Sequence, residues 1–210
     1  LGIVLFSFVT TANVLRIKGT QQNNSQASAL LDNAQKAEVA HYKWSANLSN
    51  ALYTGTEFTG SMDHTGCVLG KWLYSEIDLK DSEIDSLRAQ IEPLHKDLHA
   101  SAGTALELLA TNPDQAREYY QETIQTNLGT LVGLLDKVVE RGNALSAECE
   151  ASMNSTVNLM QGITAVCLVL NLVALISLVV YVMNSVIKPM LLITDKVRPL
   201  QEGRLDLDLN

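Results

Sequence analysis

Residues 151–187 carry no charge, and within them residues 163–183 read ITAVCLVLNLVALISLVVYVM. As a helix, about 20 such residues cross a hydrocarbon core of about 30 Å. A buried core helix of this length without one charged side chain is unusual. Residues 162–187 are therefore expected to span a membrane, and the rest of the chain must fold on one side or the other of that span.

The span changes how the composition is read. The 210 residues include 15 Lys and Arg against 23 Asp and Glu, a formal charge of −8, with 18% charged residues and a mean hydropathy of +0.09. A sequence pI near 4.9 argues against nucleic acid as a partner. The first 15 residues are also uncharged and end at Arg16, so residues 1–16 are expected to be the end of a first span, the alternative being a signal-peptide core. Lys188, Lys196, Arg198 and Arg204 follow the second span, whereas the nearest basic residue before it is Arg141. This bias places the C-terminal side in the cytoplasm, although Arg16 and Lys18 then sit outside against the rule. Residues 17–161, with most of the acidic residues, become an extracytoplasmic domain.

That domain reads as helix throughout. Leu30, Leu31, Ala34, Ala37, Val39, Ala40 and Trp44 form a broad apolar face on a first helix from about residue 17 to 53. Gly55, Gly60 and Gly66 among Thr and Ser mark a break, and a short helix is expected over about residues 67–76. Asp81 or Ser82 caps the next helix, which Pro93 is expected to kink or restart and which runs to Thr111. Asn112-Pro113-Asp114 is a turn that opens a proline-started helix with no further proline before Pro189. The expectation is an all-α fold, a four-helix bundle with a short extra helix, its first and last helices continuous with transmembrane helices.

Four residues carry metal-type chemistry: His41, Cys67, His95 and His99. His95 and His99, four apart, share one helical face. Three imidazoles and a thiolate make a closed four-coordinate set suited to zinc. Taken singly, each has a plainer reading: a core histidine, a small core cysteine, two polar residues on a wet face. Their flanks are His41-Tyr-Lys-Trp44, Cys67-Val-Leu-Gly70-Lys-Trp72 and His95-Lys-Asp-Leu-His99. This set resembles the chemoreceptor zinc-binding (CZB) domain over about residues 37–105. The resemblance implies a helical bundle with zinc on those four residues. Trp44 and Trp72 would exclude water from the site, and Gly70 would let a neighbouring helix approach closely. His64, three residues before Cys67, is a candidate fifth nitrogen or exchange ligand.

Two checks complicate this. Cys67 and Cys149 would share an oxidising compartment and are a candidate disulfide. At 1.5 Å per residue from the membrane, His41 sits about 37 Å up, Cys149 about 20 Å and His95 and His99 near 50 Å. Cys149 is then out of reach of a site shared by Cys67 and His41, but the three histidines themselves fail to meet by about a dozen Å.

After the span, Lys188-Pro189 opens an amphipathic segment with Met190, Ile193, Val197 and Leu200 at helical spacing, closing on Glu202-Gly203. Residues 188–210 resemble the start of a HAMP linker, with Pro189, Glu202 and Gly203 as its marks. The full order resembles the sensory half of a bacterial methyl-accepting chemotaxis protein in the inner membrane. That resemblance implies a homodimer acting on cytoplasmic signalling proteins, with zinc or a thiolate oxidant such as hypochlorous acid as the signal. The alternative is structural zinc, another small molecule or protein as the signal, and a histidine kinase or diguanylate cyclase output beyond residue 210. No enzyme is expected in these residues: the donor set leaves no open position for water, and HxxxH lacks the Glu of HExxH.

Overall fold

The computed structural model describes residues 2–76 and 80–201. Among the described residues the fold is all-α and bundle-like, with four helical runs, the last of them continuous from Pro113. Helix α1 is Gly2–Thr54, α2 is Val68–Leu73, α3 is Ser82–Thr111, and α4, Pro113–Tyr119, passes through a π-helical turn at Tyr120–Ile124 into α5, Gln125–Val182. A second π turn, Met183–Ile187, leads to α6, Lys188–Gln201. The chain divides into two compact units, Leu1–Ser155 and Thr156–Asn210.

Local chemistry sets the helix ends. Gly55 adopts φ +71°, a left-handed conformation that costs glycine little, and its N–H bonds the Ala51 carbonyl to close α1. Asp81 caps α3, accepting from the N–H groups of Glu83 and Ile84 at 3.1 and 3.0 Å. Asn112 caps α4, with Pro113 at its first position. Pro93 was expected to kink or restart the third helix; it does not restart it, and α3 runs through it as one element.

The core of the first unit is a set of stripes. On α1 it runs through Ala27, Leu30, Ala34, Ala37, His41, Trp44, Leu48 and Leu52; on α3 through Ile84, Leu87, Ile91, His95, Leu98, Ala102 and Ala105. The histidines occupy positions where the helical period calls for an apolar side chain. Val39, expected on the buried face, is 52% exposed because it falls between the stripe positions. On the return helix Tyr120, Ile124 and Leu128 are buried at spacings of four. A regular α-helix would drift off the core over such spacings, and the π turn at Tyr120–Ile124 takes up the extra residue.

Helices α1 and α3 run parallel, and α5 antiparallel to both. Near one end Arg117 donates to the Leu52 carbonyl; near the other Ser146 donates to Asn24, and a methyl on Gly142 would press on Leu31. Arg141 of α5 pairs with Asp81 at 2.7 Å and also reaches Glu83 and Glu148. One carboxylate thus caps α3 and ties it to α5. Arg141→Ala is expected to lower unfolding free energy by roughly 1–3 kcal/mol by leaving Asp81 half-paired, measured by denaturant titration, with Arg141→Lys intermediate.

In the second unit α5 and α6 expose a continuous apolar surface, including Leu168, Leu172, Leu175, Ile176 and Val179. The helical run Pro113–Arg198 is the one, among the described residues, long and apolar enough to cross a membrane, with a most apolar window of mean hydropathy 2.8 and none of it buried. Pro189 was expected where the helix breaks and restarts. Helix persists instead, with the π turn Met183–Ile187 just before it. Glu202 and Gly203 lie outside the described residues.

Candidate metal centre

The structure brings His41, Cys67, His95 and His99 together, with one donor atom from each within 4.8 Å of the others. His41 comes from α1, Cys67 from the residue that caps α2, and His95 and His99 from adjacent turns of α3. Relative exposure is 2%, 0% and 2% for His41, His95 and His99, and Cys67 is half-buried. The helix ruler counted from the expected span ends does not hold for these residues. Counted from the distal ends, His41 lies 13 residues before Thr54 and His99 12 before Thr111, so both sit about 18–20 Å down.

The outer nitrogens define the inner ones. His41 Nδ1 lies 2.7 Å from the Ala37 carbonyl and His99 Nδ1 2.9 Å from the Ser61 carbonyl. A carbonyl only accepts, so each Nδ1 carries the proton and each neutral ring turns an unprotonated Nε2 inward. Those two Nε2 atoms are 3.3 Å apart. Two lone pairs face each other in a dry core with no proton of their own to share.

A third proton is disfavoured there. Burial lowers the pKa of His41, takes His95 from 6.5 to about 3 with help from the neighbouring histidines, and takes His99 to about 4. His95 turns Nε2 to the Cys67 sulfur at 3.2 Å, while its Nδ1 is buried without a partner. Burial pushes the Cys67 thiol up, against the Gly70 N–H that bonds its sulfur at 3.2 Å. The pocket therefore holds three neutral imidazoles and a thiol that a cation would deprotonate. Tetrahedral zinc sets its donors about 3.3–3.8 Å apart. The 3.2 and 3.3 Å contacts already stand near that spacing, and the donor set fits zinc.

The supporting shell only partly follows the sequence reading. Trp44 stacks obliquely on His99 at 5.3 Å, and its Nε1 donates to the same Ser61 carbonyl that holds His99. Trp72 is buried in the core but carries the Arg88 guanidinium on its ring, and Arg88 in turn donates to the Trp72, Leu73 and Ser75 carbonyls at the end of α2. Its role is to seat α2. Gly70 was expected to admit a neighbouring helix. A methyl there would instead collide with the carbonyls of His64 and Thr65, the turn just before α2. Asn47 fastens the loop by accepting from Thr59 and Gly60. The Ser61 and Ala37 carbonyls were beyond sequence reasoning, although Ala37 lies one helical turn before His41.

The rival Cys67–Cys149 disulfide, which the helix ruler put out of reach of the site, does not form. All three cysteines are free, and Cys149 lines a cavity with Thr20 and Asn23. Those residues lie about 27–32 Å along α1 from His41.

Residues 41–106 match the family profile of the chemoreceptor zinc-binding domain. The match begins on His41 and ends beyond His99, so it takes in all four donors. No curated protein and no solved structure matches the chain.

Two outcomes follow. Between the unfolded value of 6.5 and the folded values of about 3 and 4, His95 and His99 bind fewer protons folded than unfolded. Stability of the metal-free bundle is thus present above pH 6.5 and lost as pH falls through that window, by up to about 1.4 kcal/mol per pH unit for each histidine. Melting temperatures of chelator-treated protein between pH 7 and 4.5 check this; a flat profile contradicts it. Gly70→Ala, by displacing the His64 carbonyl and with it Cys67, is expected to weaken zinc binding at least tenfold while far-ultraviolet circular dichroism stays helical.

Proposed function

We propose that this chain is the sensory part of a transmembrane chemoreceptor, a homodimer whose extracytoplasmic bundle holds zinc on His41, Cys67, His95 and His99. In this reading α5 crosses the inner membrane and hands the signal to a HAMP linker and cytoplasmic signalling proteins. The supporting observation is the pair of unprotonated Nε2 atoms facing each other at 3.3 Å between two helices. Bound there, zinc would draw α1, α2 and α3 together. The reading assigns no catalysis to these residues, since four protein donors leave zinc no open position.

A signal must favour one bundle arrangement over another in free energy. Loss of zinc, or oxidation of the Cys67 thiolate by an oxidant of the hypochlorous acid type, would each change how α2 is held against α1 and α3. The matched segment has none of its donors on α5, so the change must pass sideways. The clearest route is a buried polar clasp. Ser45, one turn beyond His41 on α1, bonds the Tyr120 hydroxyl at 2.9 Å; that hydroxyl also donates to the Ser45 carbonyl and accepts from Gln125. The clasp sits on the π turn, where a one-residue change of register is cheapest.

The test joins the chain to the HAMP and kinase-control region of a known chemoreceptor and measures kinase activity with and without a zinc chelator. A sensor shifts activity on chelation, answers with an altered or locked shift in Cys67→Ala, and keeps zinc but alters the shift in Tyr120→Phe. If zinc is structural, chelation melts the bundle, and activity follows helix content and not zinc. Unchanged activity with an intact bundle contradicts the sensory reading.

A further inference from the structure

Three of the four donors are sealed in the core, and the site meets solvent on the side of Cys67. His64 stands on that side. It is half-buried, and its ring centroid lies 6.2 Å from that of His95. The three donor imidazoles lie 4.7 to 5.5 Å from one another. His64 is therefore about 1 Å farther from His95 than the donor imidazoles are from one another, a difference on the scale of a side-chain rotation.

The loop holds it there. Asp63 accepts from the Thr65 N–H at 2.9 Å and the Thr65 hydroxyl at 2.7 Å, fixing the turn. The His64 carbonyl accepts the Cys67 thiol at 3.6 Å and packs against the bare Cα of Gly70. The backbone of His64 and the sulfur of Cys67 are thus joined through the same turn.

Resting on the zinc reading above, we propose that His64 is a reserve ligand: when the Cys67 sulfur is withdrawn from zinc, the His64 imidazole takes its place and the ion stays in a four-histidine set. Zinc accepts tetrahedral nitrogen or sulfur donors alike. The exchange replaces a thiolate by a neutral imidazole, so the net charge of the ion with its ligands rises from +1 to +2. The exchange would also pull the turn before α2 inward while leaving His41, His95 and His99 in place. Loss of the thiolate would then change the site without emptying it.

A four-protein comparison of the purified chain tests this: parent, His64→Ala, Cys67→Ala and the double variant. Zinc content after gel filtration is read by mass spectrometry, and affinity by competition with a chromophoric chelator. His64→Ala is expected within about twofold of the parent. Cys67→Ala is expected to bind more weakly yet keep one zinc per chain, and the double variant to bind at least tenfold more weakly than Cys67→Ala and lose its zinc. If Cys67→Ala does not fold, alkylating Cys67 with iodoacetamide in the folded parent and in His64→Ala gives the same comparison. Equal zinc binding by Cys67→Ala and the double variant, or by the two alkylated proteins, overturns the reserve role and leaves the zinc reading standing. A parent chain without zinc overturns both.

Discussion

The contact on which the site depends is the approach of two neutral imidazoles through nitrogens that both lack a proton. Buried polar groups without partners are costly, and a repulsive lone-pair contact adds to that cost. The first unit spends two backbone carbonyls on fixing the outer nitrogens of His41 and His99, and so commits their inner ones to an electrophile. Burial removes the proton as a candidate by lowering all three histidine pKa values. A soft divalent cation with a thiolate ligand resolves the contact, and the zinc-binding family profile over residues 41–106 agrees with that chemistry.

The surrounding fold is arranged to hold this contact. Parallel α1 and α3 present their histidines at equal depth, while the connection from Gly55 to Asp81 must run back along the bundle and carries Cys67 past them. The Ser61 carbonyl ties that connection to both other elements, accepting from Trp44 of α1 and His99 of α3. Arg88 seats the far end of α2 through three carbonyls. Arg141 then fastens α3 to the return helix through the same Asp81 that caps α3. Metal-site geometry and helix packing are therefore linked through shared residues, as the proposed sensory role requires.

Much of this was legible in the sequence, because it rests on local rules. Asp81, Gly55 and Asn112-Pro113 mark helix ends by chemistry that acts within a few residues, and the all-α bundle follows from them. The four donors stood out through residue type and flanking pattern. Features set by tertiary contact were hidden. The helix ruler misplaced His95 and His99 because a linear count cannot know where a bundle begins. Gly70 faces its own preceding turn and not a helix, and Trp72 answers Arg88, sixteen residues away. The two π turns gave no composition signal: one goes with the spacing of Tyr120, Ile124 and Leu128, and the other lies just before Pro189.

X-ray absorption at the zinc edge of the purified, metal-loaded chain tests the central claim most directly. The account predicts a four-coordinate shell of one sulfur at about 2.3 Å and three imidazole nitrogens at about 2.0–2.1 Å, with the sulfur contribution absent in Cys67→Ala. A shell without sulfur in the parent protein, or one dominated by oxygen, would contradict it.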